Sequence, residues 1–247
     1  MSFTKVKKGV CAAKGFVANG LNCGLNSDKN KNDLALVYSE TQCQAAAVYT
    51  TNKVKGAPIQ VTKAHLEASG HTAKAVIVNS KNANTCNADG VEKAQRMCEL
   101  AAAELSIDPN EVIVASTGVI GQVLPIEPIE SHIKELAKGL SADGNDKAVN
   151  AIMTTDTVPK QYAVKFMLGD CECTVGGMAK GSGMIHPNMA TTLNFITSDV
   201  AISSELIQKT LSEIVKVTYN CLSIDGDTST NDMVSIMANG LAGNTPI

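Results

Sequence analysis

A hydroxyl becomes a useful nucleophile only when a base takes its proton, and one pair in this chain could supply both partners. Ala190-Thr191 follows Pro187, where a loop passes into an apolar run. If the Thr191 hydroxyl attacks the Ala190 carbonyl and the chain breaks there, Thr191 becomes N-terminal and its own α-amine serves as the base. That amine has a reference pKa of about 7.7–8.0. Small neighbours and the nearby Gly181 and Gly183 would let the backbone take the strained geometry such a break needs. Most Ala-Thr pairs are only peptide bonds, so spacing alone leaves an ordinary loop-to-strand junction open.

Three further loops carry groups that chemistry could use. Ser116-Thr117-Gly118-Val119-Ile120-Gly121 comes directly after an apolar strand ending at Ala115. A glycine there exposes its amide with no side chain in the way, which suits an oxyanion, although a tight turn explains it equally. Asn79-Ser80-Lys81-Asn82-Ala83-Asn84 could serve a site or merely satisfy turn backbone. The glycine-rich stretch Gly176 to Gly183 holds Lys180 and invites a phosphate reading. It fails that test, because a P-loop needs its Lys after the last glycine and a helix behind it. The dinucleotide pattern G-x-G-x-x-G fails as well, since Gly183 is followed by Met184, Ile185 and His186.

Metal and redox chemistry find little support. His65, His71, His132 and His186 form no metal-binding pair, and Cys171 and Cys173, one residue apart, are poorly spaced for zinc. Neither a metal nor a cofactor is expected. The eight cysteines, spread over 247 residues, read as reduced and mostly buried small hydrophobes. Lys plus Arg is 21 and Asp plus Glu 24, a net charge of −3 that argues against a nucleic-acid partner. Aromatics at 3% leave no base-stacking platform, and no apolar run reaches the roughly 18 residues of a membrane span. The N-terminal residues lack the apolar stretch of a secretory signal, so a cytoplasmic location is expected.

The elements that would position these loops are legible from periodicity. Asp33–Ser39 and Ala45–Thr50 read as two strands joined by a polar turn, and Lys74–Asn79 and Glu111–Ala115 as buried strands. Apolar spacing predicts helices over Asp89–Leu105, Pro128–Leu140 and Lys147–Met153. Gln161–Leu168 and Glu172–Gly177 alternate like a hairpin around Gly169-Asp170. Thr191–Thr197 reads as a strand. Ser203 can cap a helix whose apolar face carries Leu206, Ile207, Leu211, Ile214 and Val215. The mixture is α/β (α+β).

Taken together, five segments resemble one family. Lys180 to Thr191 (KGSGMIHPNMAT) resembles the self-cleavage segment of the ornithine acetyltransferases, also called glutamate N-acetyltransferases. The likeness extends, in order, to Asn79–Asn84, Ser116–Gly121, Met153–Thr157 and Asp225–Asp232. It implies a layered α/β/β/α sandwich, self-cleaved between Ala190 and Thr191 into an α chain (1–190) and a β chain from 191, of which 191–247 is the first part. It further implies that Thr191 takes acetyl from N-acetylornithine and passes it to glutamate in arginine biosynthesis, with acetyl-CoA as a possible co-substrate. Thr117 and Gly118 fall on the oxyanion hole, and Thr154, Lys180 and Thr191 on substrate contacts. The implied assembly is an α2β2 heterotetramer. The family's chains run longer than this one, and further substrate residues, one of them acidic, would lie in that extra length. At Lys81 the family often carries glycine. An N-terminal-Thr hydrolase or aminopeptidase on a similar scaffold, and a non-catalytic small-molecule-binding domain, are the rival readings.

Overall fold

The computed structural model describes residues 2–184 and 192–247. In chain order these form strands β1 (Thr4–Val6), β2 (Phe16–Leu21) and β3 (Leu34–Tyr49), helix α1 (Ala57–Ala68), β4 (Thr72–Asn79), α2 (Gly90–Leu105) and β5 (Val112–Ser116). Then come α3 (Glu127–Lys138), α4 (Asn145–Ile152), β6 (Lys160–Leu168), β7 (Cys171–Lys180), β8 (Leu193–Ser198), α5 (Ser204–Val217) and β9 (Met233–Ala238). Among the described residues the strands share one hydrogen-bonded order, β1-β6-β7-β8-β9-β3-β4-β5, with β2 on the free side of β3.

Strand β3 turns this ribbon into two layers. It is one continuous strand of 16 residues, where the sequence pattern suggested two strands and a turn. Its first half pairs with β2 and β4, and its second half with β9. Between them, at Tyr38 to Cys43, the register shifts and Glu40, Thr41 and Gln42 lie exposed. The polar residues that imitate a turn are a solvated irregularity in a strand that bends from one layer to the next.

Alternation along the strands then builds four layers. Ala35, Val37, Val76, Val78, Ile113 and Ala115 face inward and pack against the inner face of β7, β8 and β9, through Met178, Leu193, Phe195, Met233 and Met237. The intervening residues, including Leu34, Leu36, Ala75, Ile77, Val112 and Val114, face outward against α2, α3 and part of α1. On the far side, Ala46, Val48, Val234, Ile236 and Ala238 pack under α5. The expected α/β/β/α sandwich is present.

Helices α2 to α5 and the β6–β7 hairpin lie where the periodicity put them, within a few residues at their ends. Ser203 caps α5, its hydroxyl accepting from the Leu206 N–H. The face of α5 is narrower than expected: Ile207, Leu211 and Val215 are buried, whereas Leu206 and Ile214 are exposed. Gly176 and Gly177 belong to β7 and not to a loop. A Cβ on Gly176 would stand 2.0 Å from the Gly9 carbonyl oxygen, so glycine is needed there for close packing against the N-terminal turn. Five cysteines are buried, as expected, while Cys86 and Cys221 are exposed and Cys171 is intermediate. No helix among the described residues is long and apolar enough to cross a membrane.

Candidate active site

Strand polarity gathers the polar loops at one end of the sandwich. β4 and β5 run parallel with Asn79 opposite Ser116, so the loops after both leave the same edge. Across the sandwich β8 and β9 run parallel, with Leu193 opposite Met233, and β7 ends with Lys180 opposite Leu193. The ends of five strands thus meet around one cleft of about 470 Å³, lined among others by Thr117, Gly118, Thr154, Lys180, Met184 and Thr230.

Asn231 fastens these loops together. Its Nδ2 donates to the Ala83 carbonyl at 2.6 Å and the Ser116 carbonyl at 3.0 Å. Its Oδ1 accepts from the Thr85 and Thr230 hydroxyls, both at 2.6 Å. The sequence marks the segment Asp225–Asp232 without singling out Asn231 within it. A buried Asn with all four bonds satisfied is visible only once the loops are in space.

Gly118 lies in the left-handed region, at φ 135. A Cβ there would meet the Lys81 carbonyl carbon at 2.1 Å. The loop 79–84 therefore presses directly on the Gly118 backbone, and only glycine fits. Val119 N–H donates to the Lys81 carbonyl and Ala83 N–H to the Val119 carbonyl. Lys81 itself takes a left-handed φ of 76, a backbone conformation that favours glycine.

Thr117 is buried, its N–H donating to the Asn79 carbonyl at 3.0 Å. Lys180 is 5% exposed, too buried for the solvated loop cation it could have been. Its Nζ donates to Thr117 Oγ1 at 2.9 Å. Burial pushes the Lys180 ammonium below its ordinary pKa, and the charge of Asp156, joined by that of Asp232 once it ionises, works against that push.

Thr154 lines the cleft, its N–H donating to Asp156 Oδ2 at 3.3 Å. Burial works to raise the Asp156 pKa, but hydrogen bonds from Lys160 and the Gly181 and Thr154 N–H groups, with the Lys180 charge, hold it below its ordinary value. Asp156 therefore joins the loop 153–157 to the end of β7, through Gly181 N–H at 2.8 Å. Asp232 is the opposite case. Burial pushes its carboxyl up to about 8, against the Ser229 hydroxyl, the Thr192 N–H and the Lys180 charge. Neither acid stands out in the sequence by itself.

Of the expected site residues, Thr117, Gly118, Thr154 and Lys180 come together in this cleft. Thr191 and Ala190 lie outside the described residues. The next residue, Thr192, is 9% exposed, and its carbonyl accepts from the Met233 N–H at 3.2 Å as the chain enters β8.

The architecture and the site together define a four-layer α/β/β/α protein with a polar cleft at the strand ends between the two sheets. The sequence model of the ArgJ family matches residues 17–246, and the chain belongs to that family. It is 49% identical over 233 residues to arginine biosynthesis bifunctional protein ArgJ 1 of Clostridium acetobutylicum, covering 94% of this chain and 56% of that protein. The chain thus spans a little over half the length of the curated relatives it matches. Among solved structures it resembles the arginine biosynthesis bifunctional protein ArgJ of Bacillus halodurans, with 38% identity and a TM-score of 0.70 over 76% of this chain and 97% of that one. It also resembles ornithine acetyltransferase of Mycobacterium tuberculosis complexed with ornithine, with 34% identity and a TM-score of 0.69 over 78% of this chain and 100% of that one.

Proposed function

We propose that this chain is part of a self-processing acetyltransferase that moves acetyl from N-acetylornithine to glutamate in arginine biosynthesis. The observation that carries the reading is the convergence of Thr117, Gly118 and Lys180 on one cleft at the entrance to β8, in a chain of the ArgJ family. The M. tuberculosis relative, complexed with ornithine, supports an amino acid of that kind as ligand.

In this reading the Thr191 hydroxyl first attacks the Ala190 carbonyl. The peptide C–N bond breaks, an ester forms, and the nitrogen takes the hydroxyl proton. Water hydrolyses that ester, leaving residues 1–190 as one chain and Thr191 as a free N-terminus. The Thr191 amine then accepts the hydroxyl proton as oxygen attacks the acetyl group of N-acetylornithine. That proton passes to the departing ornithine amine. Glutamate's amine attacks the acetyl ester and regenerates the hydroxyl. Both acetyl-transfer half-reactions pass through a tetrahedral oxyanion, so one donor pair, the Thr117 hydroxyl and the Gly118 N–H, serves acylation and deacylation. Thr154 holds substrate, and Lys180 stands against the Thr117 hydroxyl. No resident cofactor enters this route, and acetyl-CoA would act as an alternative acetyl donor. The complete protein works in the cytoplasm as an α2β2 assembly.

The test is ornithine release from N-acetylornithine by the complete protein, with and without glutamate. Release that rises with glutamate, with N-acetylglutamate formed in equal amount, supports transfer. Release at the same rate without glutamate makes the protein a hydrolase. No turnover and no processing leaves a binding domain.

A further inference from the structure

The bond from Lys180 to Thr117 has a directional consequence. A threonine hydroxyl carries one proton and two acceptor lone pairs, whereas an ammonium only donates. With Lys180 Nζ at 2.9 Å, one lone pair of Thr117 Oγ1 is occupied. The Thr117 proton cannot point back along that line, and it finds no acceptor among the described residues. Both side chains are buried and both line the cleft, so the proton is left for whatever oxygen occupies it.

The ammonium is well fixed for such a task. Its backbone ends β7 in register with Leu193, and the charge of the Asp156 carboxylate supports its own. A charged donor also makes a shorter, stronger hydrogen bond than a neutral one and polarises the hydroxyl it holds.

We propose that Lys180 is a positioning residue for oxyanion stabilisation: by donating to Thr117 Oγ1 it commits the Thr117 hydroxyl proton to the cleft. This differs from holding a substrate carboxylate, and it rests on the reading of Thr117 as an oxyanion donor.

A double-mutant cycle on the complete protein separates the possibilities. The variants are Lys180→Met, Thr117→Ala and the pair, with kcat and KM for N-acetylornithine measured for each and folding checked by circular dichroism. Lys180→Met should lower kcat by roughly 10- to 100-fold, less than the ~10²–10³-fold loss of a donor outright, because the hydroxyl remains but is free to turn. KM should change by less than about 3-fold, as for an interaction that strengthens only in the transition state. In the Thr117→Ala background the same substitution should cost less than about 3-fold, since no hydroxyl is left to orient. Thr117→Ser keeps the hydroxyl and should retain the full Lys180 dependence, a control that a folding defect would not reproduce.

A raised KM with unchanged kcat for Lys180→Met overturns the proposal in favour of carboxylate binding. Losses that multiply fully in the double variant overturn it as well. If Thr117→Ala has the parent's kcat, the oxyanion reading itself fails and takes the proposal with it.

Discussion

Replacing Gly118 with Ala tests the oxyanion geometry and the packing behind it at once. The added Cβ would lie 2.1 Å from the Lys81 carbonyl carbon, 2.4 Å from its oxygen and 2.5 Å from Asn82 N. All three are backbone atoms, so no side chain can swing away. Ordinary contact begins near 3.4 Å, and one of the two loops must retreat by about 1.3 Å. The φ of 135 adds strain for any residue with a Cβ. Strain of ~1–3 kcal/mol and overpacking of ~1–3 kcal/mol together predict a destabilisation of about 2–6 kcal/mol. For a chain of this length that lowers the melting temperature by on the order of 10 °C. The displacement also carries the Gly118 N–H off target, and a shift of about 1 Å in a catalytic group costs on the order of 10²-fold in rate. Thermal melting followed by circular dichroism, and kcat for ornithine release measured well below the melting point, read the two effects separately. A Gly118→Ala protein that melts with the parent would refute the packing argument. Parent-like kcat would remove Gly118 from the reaction.

Thr191→Ala should abolish both chain cleavage and acetyl transfer, as gel mobility and an ornithine assay would show; transfer that survives names another nucleophile. Asn231→Ala strips partners from two buried carbonyls and two hydroxyls, and should cost roughly 2–4 kcal/mol in a urea titration, with parent-like stability counting against the fastening role. Asp232 is protonated in the fold up to about pH 8, whereas an unfolded Asp titrates near ~3.9. Its contribution to stability is therefore fully present below about pH 4 and lost as pH rises through about 8. Across that window it adds a downward slope of at most ~1.4 kcal/mol per pH unit. Asp232→Asn removes this slope, so its stability relative to the parent should rise from pH 5 to pH 8.5; parallel curves would contradict the burial of an uncharged carboxyl.

What the sequence disclosed, it disclosed through local pattern. Helix α2 was legible because Val91, Ala94, Met97 or Cys98, Ala101, Ala102 and Leu105 recur at helical spacing, and of these Ala94, Met97, Cys98, Ala101 and Ala102 are buried while Val91 is exposed. The layering of β3, β4 and β5 is harder to read. Their residues are apolar on both faces, and such a run does not say which face meets a sheet and which a helix. Strand β3 misled because Glu40, Thr41 and Gln42 look like a turn wherever they occur, and only pairing with β4 and β9 shows otherwise. Helix α1 escaped notice although Pro58 stands at its start, since its stripe of Ile59, Thr62, His65 and Leu66 is interrupted by polar residues that burial later satisfies. In the site, Thr117, Gly118, Thr154 and Lys180 were found through family resemblance. Asp156, Asn231 and Asp232 required coordinates, because their roles lie in contacts between segments far apart in sequence.

The claim on which the rest depends is that Thr191 cuts the chain and then carries the acetyl group. Intact-mass analysis of the complete protein, before and after brief exposure to N-acetylornithine without glutamate, tests it directly. The account predicts one polypeptide ending at residue 190 and a second beginning at Thr191, which gains one acetyl group on its N-terminal residue and loses it when glutamate is added. A single uncut polypeptide that transfers acetyl at full rate, or an acetyl group on any other residue, would contradict it.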